Sequence, residues 1–356
     1  MSLLKKGKLT FLQLLEASGA SSWLSGTAWR RDRLLILCYH GVARFDEAEW
    51  DPLYLPAATF RRRMELVAEA GCTVLPLAEA LERLHQHTLP ERAVAITFDD
   101  GFLDFYLVAL PVLESFGYPV TLYLTTYYVD YNRPVFDPMV GYLLWKGREK
   151  GVLDWPEVSA QPYTLDPPGC SAAARAIKRF ALDRKLSGRE KDELLARLAG
   201  QLGVDYEELC QRRMLHLVNP EEAADMGARG VDLELHTHRH REYRGRVRML
   251  GELEDNRRRL ATFSPREPKH FCYTGGMHLP QYPDYLKSYG LLSATTCESG
   301  LCEVSTNPYL LPRLVDTQAL TDLEFRSWLA GTPHFLPTRP YYPAEGQLLE
   351  DPDPAA

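Results

Sequence analysis

The alternation of strand-like and helix-like segments is the feature of this sequence that most restricts its fold. Short apolar runs are separated by helix-like stretches over roughly the first 300 residues. The clearest run, 93–98, leads directly into Asp99-Asp100-Gly101. The other strand candidates are 34–39, 72–75, 120–124, 231–235, 270–273, 291–296 and 310–315. Repeated strand–helix units predict a parallel sheet, either open or closed into a barrel.

The pattern breaks once, and this break defines the expected domain organisation. Residues from about 130 to 230 have a helical composition, so we predict a helical insertion there and propose that it chooses the substrate. The barrel or sheet domain should then cover residues 34–331, after an N-terminal helical extension at 1–33. Residues 332–356 contain six prolines and an acidic end, which predicts a loosely packed tail.

Composition excludes some classes of protein. Hydrophobic residues make up 45% of the chain and charged residues 25%, as in soluble globular proteins. A net charge of −7 argues against nucleic acid as a partner. The first apolar run is too short to span a membrane and is poor as a signal peptide, so only weak peripheral membrane contact is expected. The seven cysteines form no CxxC pair, which favours reduced thiols and a cytoplasmic location.

Polar residues with chemical potential follow the predicted strands. His40 ends the first strand, Asp99 and Asp100 the third, His236 a later one, and Tyr273 the one after that. In parallel sheets and barrels, the carboxyl ends of the strands share one edge and carry the active site. We therefore expect these side chains to lie close together.

The acid pair at Asp99 and Asp100 has two interpretations. Asp-Gly is a favoured turn dipeptide, so the pair could be purely structural. Alternatively, adjacent side chains on extended backbone point in different directions, so one carboxylate can hold a metal ion while the other acts as a base toward water.

A histidine cluster supplies the second half of a possible metal site. His236, His238 and His240 lie within five residues directly after a predicted strand. They share one face if the strand continues, whereas a turn would change which pair converges. A solvated loop rich in His and Arg is the alternative. Together with an Asp, two of these imidazoles would make a three-ligand catalytic metal site, which is suited to amide or ester hydrolysis.

The two motifs together resemble the polysaccharide deacetylase family, also called the NodB-homology or carbohydrate esterase family 4 enzymes. The similarity spans roughly residues 34–316 and is interrupted by the insertion. The matching segments are Thr97-Phe98-Asp99-Asp100-Gly101, His236-Thr237-His238-Arg239-His240, Tyr39-His40-Gly41-Val42, Phe271-Cys272-Tyr273-Thr274-Gly275-Gly276 and Leu311-Pro312-Arg313-Leu314.

The resemblance implies a fold, a reaction and a set of roles. The fold would be an irregular (β/α)7-type barrel, and the reaction the removal of N-acetyl groups from an amino sugar, oligosaccharide or polysaccharide precursor. One divalent metal ion, with Zn²⁺ ahead of Co, Ni, Mn or Fe, would be the cofactor. The implied general base is Asp99, and the implied metal ligands are Asp100, His236 and His240. Tyr273 and Gly275 would lie in the segment whose backbone N–H binds the oxyanion of the tetrahedral intermediate. Arg313 could orient Asp99 or bind an acidic group, and a surface ion pair is the alternative.

Two departures from the family pattern concern catalysis. Thr274 stands where the family usually has proline, which bears on the oxyanion geometry. The family's late Leu-x-x-His motif, the source of its general acid, has no clear counterpart, so His40, His278 and His334 are the candidates, with a metal-bound water as the alternative. Rival functions are hydrolysis of another C–N bond, such as a cyclic imide or ureide, and a silent carbohydrate-binding protein.

Overall fold

The computed structural model describes residues 3–335 and contains two compact units. The larger unit comprises the chain up to Thr126 and from Pro220 onward, and the smaller one is Tyr127–Asn219. The predicted tail 332–356 begins with a short 3-10 turn at Thr332–Phe335, and residues 336–356 lie outside the described part of the chain. Among the described helices, none is both long and apolar enough to cross a bilayer.

The strands fall into one large sheet and two small ones. They are β1 (Leu35–Tyr39), β2 (Gly41–Ala43), β3 (Tyr54–Pro56), β4 (Thr73–Val74), β5 (Ala93–Asp100), β6 (Thr121–Leu124), β7 (Val152–Leu153), β8 (Tyr163–Thr164), β9 (Asp232–Leu235), β10 (His270–Cys272), β11 (Ser293–Thr295) and β12 (Leu314–Val315). The eight-stranded sheet has the order β11-β10-β9-β6-β5-β1-β12, with β4 pairing to the first residues of β5. β2 pairs with β3, and β7 with β8.

The large sheet is parallel throughout and curls toward closure. Every strand pair in it is parallel. A parallel bridge between Thr295 and Leu311 joins β11 to the segment just before β12, so the two ends of the strand order meet. This is the irregular (β/α)7-type barrel predicted from the sequence, with the insertion between the two main motifs.

Strand β5 is central, and its sequence explains this position. It pairs with β1 on one side and with β6 on the other, and residues 93–99 are all buried. A strand covered on both faces needs a nearly continuous apolar sequence rather than an alternating one. The run from Ala93 to Phe98 supplies that sequence and carries the acid pair to the carboxyl edge of the barrel.

Helices surround the sheet in the larger unit. They are α1 (Leu3–Ala17), α2 (Ala20–Ser25), α3 (Ala28–Arg31), α4 (Glu47–Trp50), α5 (Ala57–Glu69), α6 (Leu77–His85), α7 (Leu110–Ser115), which follows a π-helical turn at Phe105–Ala109, then α13 (Pro220–Ala228), α14 (Arg246–Leu260), α15 (Tyr282–Ser288) and α16 (Asp322–Ala330). The N-terminal helices, expected at 1–33, attach to α16 through ion pairs Lys8–Glu324 (3.1 Å) and Arg326–Glu16 (2.7 Å).

The smaller unit corrects the boundaries and the content of the insertion expected at about 130–230. It ends at Asn219, because α13 belongs to the larger unit. Its helices are α8 (Tyr127–Tyr131), α9 (Phe136–Lys146), α10 (Pro167–Asp183), α11 (Gly188–Leu202) and α12 (Tyr206–Gln211). It is not purely helical, since β7 and β8 form an antiparallel pair.

Candidate active site

Asp100, His236 and His240 converge at the carboxyl edge of the barrel. Asp100 Oδ1 lies 3.1 Å from Nε2 of His236 and 3.1 Å from Nε2 of His240. One ligand atom from each residue lies within 4.8 Å of the others. The His236 side chain is 2% exposed and that of His240 is 41% exposed, so the cluster is anchored on one side and open to solvent on the other.

The backbone explains why this pair of histidines converges and His238 does not. Thr237 and His240 have positive φ angles of 61° and 55°, which break the strand alternation after β9. His238 instead turns toward the end of β6, where its Nδ1 lies 2.8 Å from Thr126 Oγ1. Asp100 also has a positive φ, 70°, and Gly101 follows at 92°. Left-handed backbone at non-glycine residues is strained and concentrates at functional sites.

The hydrogen bonds of His236 test whether a cation fits here. Nδ1 lies 2.8 Å from the Cys272 carbonyl oxygen, which can only accept, so Nδ1 carries a proton. In the neutral ring, Nε2 then presents a lone pair to the Asp100 carboxylate, and two acceptors face each other at 3.1 Å. A cation between them, either a proton or a metal ion, removes this repulsion. The two imidazoles and the carboxylate are the donor set of open Zn²⁺ or non-haem metal sites.

Burial and neighbouring groups shift the pKa values of Asp100 and His236 in opposite directions. Burial alone raises the pKa of Asp100, but the imidazoles of His240 and His236 lower it well below the ordinary value. Burial alone lowers the pKa of His236, whereas Cys272 and the Asp100 carboxylate raise it well above the ordinary value. The cluster is therefore built to hold positive charge next to Asp100.

A buried asparagine, which the sequence did not reveal, fixes His236 from behind. Asn256 on α14 is fully buried, and its Oδ1 accepts from the backbone N–H of His236 at 2.9 Å. Its Nδ2 donates to the Leu124 carbonyl and to Thr126 Oγ1, both at 3.0 Å. Asn256 thus connects the ends of β6 and β9, and such supporting groups orient metal ligands.

Asp99 lies beside this cluster in a different environment. It is 2% exposed, and Arg313 binds it in a bidentate manner, with Nη1 2.7 Å from Oδ1 and Nη2 2.8 Å from Oδ2. Arg313 is itself fully buried and also donates to the Thr296 carbonyl and to Thr97 Oγ1. The interpretation of Arg313 as a surface ion pair is wrong, because the residue lies inside the barrel and orients Asp99.

The buried pair fixes the charge of Asp99. Burial raises the pKa of this carboxyl, but the adjacent Arg313 guanidinium outweighs burial and holds the pKa well below its usual range. Asp99 is therefore a carboxylate throughout the neutral range.

Among the candidate general acids, His40 lies closest to the acid pair. Its Nε2 is 3.7 Å from Asp99 Oδ2, and its side chain is 19% exposed. His278 contacts the Gly276 carbonyl and the Tyr273 ring instead. The side chain of His334 lies outside the described residues. The geometry thus groups His40, but not His278, with Asp99.

The predicted oxyanion segment is bonded within the protein at three of its amides. The N–H of Tyr273 donates to Thr295 O at 3.2 Å, that of Thr274 to Glu242 Oε1 at 2.6 Å, and that of Gly276 to Tyr273 O at 3.0 Å. The Tyr273 hydroxyl donates to the Tyr309 carbonyl. Gly275 has a φ of 59° at the turn. An oxyanion contact from Tyr273 or Gly275 stays a prediction.

Glu242 explains the threonine in the place of the family's proline. A proline has no N–H, whereas Thr274 donates one to this buried carboxyl. Burial raises the pKa of Glu242 to about 8. The signal for this role in the sequence is an acid two residues after His240.

Comparison with known proteins agrees with this geometry. The family profile described as polysaccharide deacetylase matches residues 86–152 and 193–294, which include Asp99, Asp100 and the histidine cluster. Over these two segments, the chain is similar to the polysaccharide deacetylase family.

Two curated relatives match part of the chain. YxkH of Bacillus subtilis, named as a polysaccharide deacetylase, is 34% identical over 93 residues, which is 26% of this chain and 32% of that protein. The poly-beta-1,6-N-acetyl-D-glucosamine N-deacetylase of Escherichia coli K12 is 31% identical over 102 residues, which is 28% of this chain and 15% of the enzyme. The matches thus span about a third and less than a sixth of these relatives.

Two solved structures share the fold. The Streptococcus pyogenes deacetylase PplD, in complex with acetate, superposes with a TM-score of 0.55 at 14% identity, covering 84% of this chain and 98% of PplD. IcaB from Ammonifex degensii gives 0.52 at 16% identity, covering 85% of this chain and 97% of IcaB. At such identities, the likeness establishes the barrel and not the substrate.

Proposed function

We propose that this protein is a metal-dependent N-deacetylase that acts on an N-acetylated amino sugar, oligosaccharide or polysaccharide precursor. The observation that carries the proposal is the convergence of Asp100, His236 and His240 beside the Asp99–Arg313 pair. The named activity of the Escherichia coli relative supports the choice of an N-acetylated saccharide.

Asp100, His236 and His240 would hold the cation. A bound divalent ion at this place supplies a Lewis acid that acidifies water and polarises the amide carbonyl. We assign no identity to the ion beyond the preference of imidazole and carboxylate ligands for Zn²⁺ and similar metals.

Asp99 is assigned as the general base. It is a carboxylate at neutral pH because of Arg313, and it adjoins the proposed ligand Asp100 in the chain. It accepts the proton of the water whose oxygen attacks the acetamide carbon. Arg313 holds both carboxylate oxygens, which fixes the direction in which Asp99 accepts that proton.

His40 is assigned as the general acid. Its partly exposed ring lies 3.7 Å from Asp99 Oδ2, at the open edge of the site. It would donate a proton to the amine nitrogen as the C–N bond breaks, so that acetate and a free amine leave. Pairing of an acid and a base across one bond is the usual requirement for amide hydrolysis at neutral pH.

The decisive test is acetate release from a panel of N-acetylated sugars, oligosaccharides and nucleotide sugars, with and without a chelator. We expect chelator-sensitive acetate from at least one of them, with loss of about 10²- to 10⁴-fold in rate for Asp99→Asn. Asp284→Asn, at an exposed position on α15, is the matched control. Metal binding without acetate from any substrate would favour another C–N bond, such as a cyclic imide, or a binding role.

We also propose a cytoplasmic location. All seven cysteines are unpaired in the described structure, and free thiols persist in reducing compartments. Fractionation of cells that express the full chain, with a periplasmic and a cytoplasmic marker, tests this proposal.

A further inference from the structure

A second group of metal-ligating side chains lies next to the proposed cation site and shares no residue with it. One ligand atom each from Cys38, His40 and Asp99 lies within 4.8 Å of the others. Cys38 belongs to β1, His40 follows that strand, and Asp99 lies on the neighbouring β5. The parallel pairing of β1 and β5 therefore builds this group directly.

Oδ2 of Asp99 is the centre of the group. Cys38 Sγ lies 3.6 Å from it and His40 Nε2 lies 3.7 Å from it. The Cys38 thiol donates a weak hydrogen bond to Oδ2, whereas the His40 contact is longer than an ordinary hydrogen bond between nitrogen and oxygen. Arg313 and the Cys272 thiol also donate to Oδ2, so a cation here would replace the Cys38 proton and leave the Arg313 contact in place.

The His40 ring can present a lone pair to this group. Its Nδ1 is buried and has no hydrogen-bond partner among the described residues. No bond to the protein therefore fixes which nitrogen carries the proton, and the tautomer with the proton on Nδ1 leaves Nε2 as a ligand. An unpaired buried nitrogen is costly, so a function for this ring must offset that cost.

The donor types identify the class of ion. Thiolate, imidazole and carboxylate are the ligands that proteins use for Zn²⁺. A thiolate selects thiophilic ions over Mg²⁺, Ca²⁺ or Mn²⁺. The proposed catalytic ligands Asp100, His236 and His240 include no sulfur, so the two places differ in the ions they should prefer.

We propose that Cys38, His40 and Asp99 form a second cation site for thiophilic divalent ions such as Zn²⁺ and Cd²⁺, and that its occupation inhibits the enzyme. Binding converts the Cys38 thiol to a thiolate and releases its proton to solvent, with no change in oxidation state. The thiolate and the Asp99 carboxylate carry two negative charges, and because Arg313 also pairs with Asp99, the occupied site keeps one net positive charge. His40 enters as a neutral ligand.

Inhibition follows from the residues that the ion occupies. A cation on Asp99 Oδ2 and His40 Nε2 engages the lone pairs of the proposed base and the proposed acid at once. This consequence rests on the proposed function, whereas binding of the ion does not. The two can therefore be tested separately.

The binding test uses Cd²⁺ and the purified full chain, first stripped of metal. We expect the ultraviolet charge-transfer absorbance of a cadmium thiolate in the wild type, and its loss in Cys38→Ser and in Cys38→Ala. Cys38 is fully buried, so two different replacements are used and thermal unfolding checks that each variant folds. Cys302→Ser is the matched control, since Cys302 is also a fully buried thiol but belongs to no group of candidate metal ligands among the described residues.

The outcomes separate the site from the function. Absorbance that persists in both folded Cys38 variants, or is absent from the wild type, overturns the site. Once a substrate is known, inhibition by Cd²⁺ can be measured. The Cd²⁺ concentration for half-inhibition should rise at least about tenfold in Cys38→Ser, because loss of a group that only supports a metal ligand already weakens metal binding about tenfold or more. Unchanged inhibition would overturn the inhibitory role, and a chain without deacetylase activity would still give the absorbance.

Discussion

Replacement of Arg313 by methionine isolates the buried ion pair at the centre of the barrel. The substitution keeps an apolar chain of similar length but removes the guanidinium that holds both oxygens of Asp99 at 2.7 and 2.8 Å. Both side chains are at most 2% exposed, so water cannot take over the contact. The free energy of unfolding near pH 7 should fall by about 3–5 kcal/mol, the range for a buried charge left without its partner.

The pH dependence of this loss has a definite sign. In the wild type, the pKa of Asp99 is lowered, so the pair contributes stability above the unfolded pKa and loses it only as pH falls through the folded value. Without Arg313, burial is the largest remaining influence and raises the pKa of Asp99 above the unfolded value. The variant then folds with a protonated carboxyl, so its deficit should shrink as pH falls below that raised pKa.

The assay is urea denaturation in the presence of a chelator, at neutral and at mildly acidic pH. Arg326→Met is the matched control, because its partner Glu16 is 44% exposed and such pairs contribute about 0–1 kcal/mol. The double variant with Asp99→Asn should lose less than the sum of the single variants. A loss under about 1 kcal/mol for Arg313→Met, or a loss that grows on acidification, would refute the reasoning.

Three further changes test other parts of the site. Asn256→Ala should cost about 3 kcal/mol of unfolding free energy, because His236 N–H and Leu124 O lose buried partners. The same change should weaken metal binding about 10- to 100-fold, and an unchanged affinity in titration calorimetry would contradict this. Thr274→Pro should lower the free energy of unfolding by about 1–3 kcal/mol, since Glu242 loses the N–H that donates to it. Thr274→Ala keeps this N–H and should lower the free energy of unfolding by less. Equal decreases in the two variants would count against the contact. His240→Ala should abolish chelator-sensitive metal retention, measured by elemental analysis, while thermal stability changes little because the side chain is 41% exposed.

Local pattern was sufficient to predict a parallel sheet and the edge at which the site lies, whereas the barrel was predicted from the family resemblance. The run of residues 93–98 is apolar on both faces, so it had to be a central parallel strand, and the acid pair had to end it. His40, His236 and Tyr273 also follow strands in the structure. These predictions depended on the order of neighbouring residues along the chain, which can be read directly from the sequence.

The choice among the histidines could not be made in this way. Strand alternation would have grouped His236, His238 and His240, but the positive φ angles at Thr237 and His240 turn the chain and send His238 to Thr126. Propensity rules give little weight to left-handed backbone at threonine or histidine. The family motif anticipated the pair, and the backbone shows its physical cause.

The sequence alone determined the periodicity of the elements and the residue types at the strand ends, because both are local properties of the chain. Tertiary structure alone decided the neighbours of those side chains. Arg313 is 214 residues from Asp99, and Asn256 is 130 residues from Thr126, yet each pair is in hydrogen-bond contact. The closed parallel sheet brings distant strand ends to one edge, and its interior excludes water there. Folding, rather than local sequence pattern, therefore decides the charge of Asp99, its pairing with Arg313, and the meeting of Cys38 and His40 with Asp99.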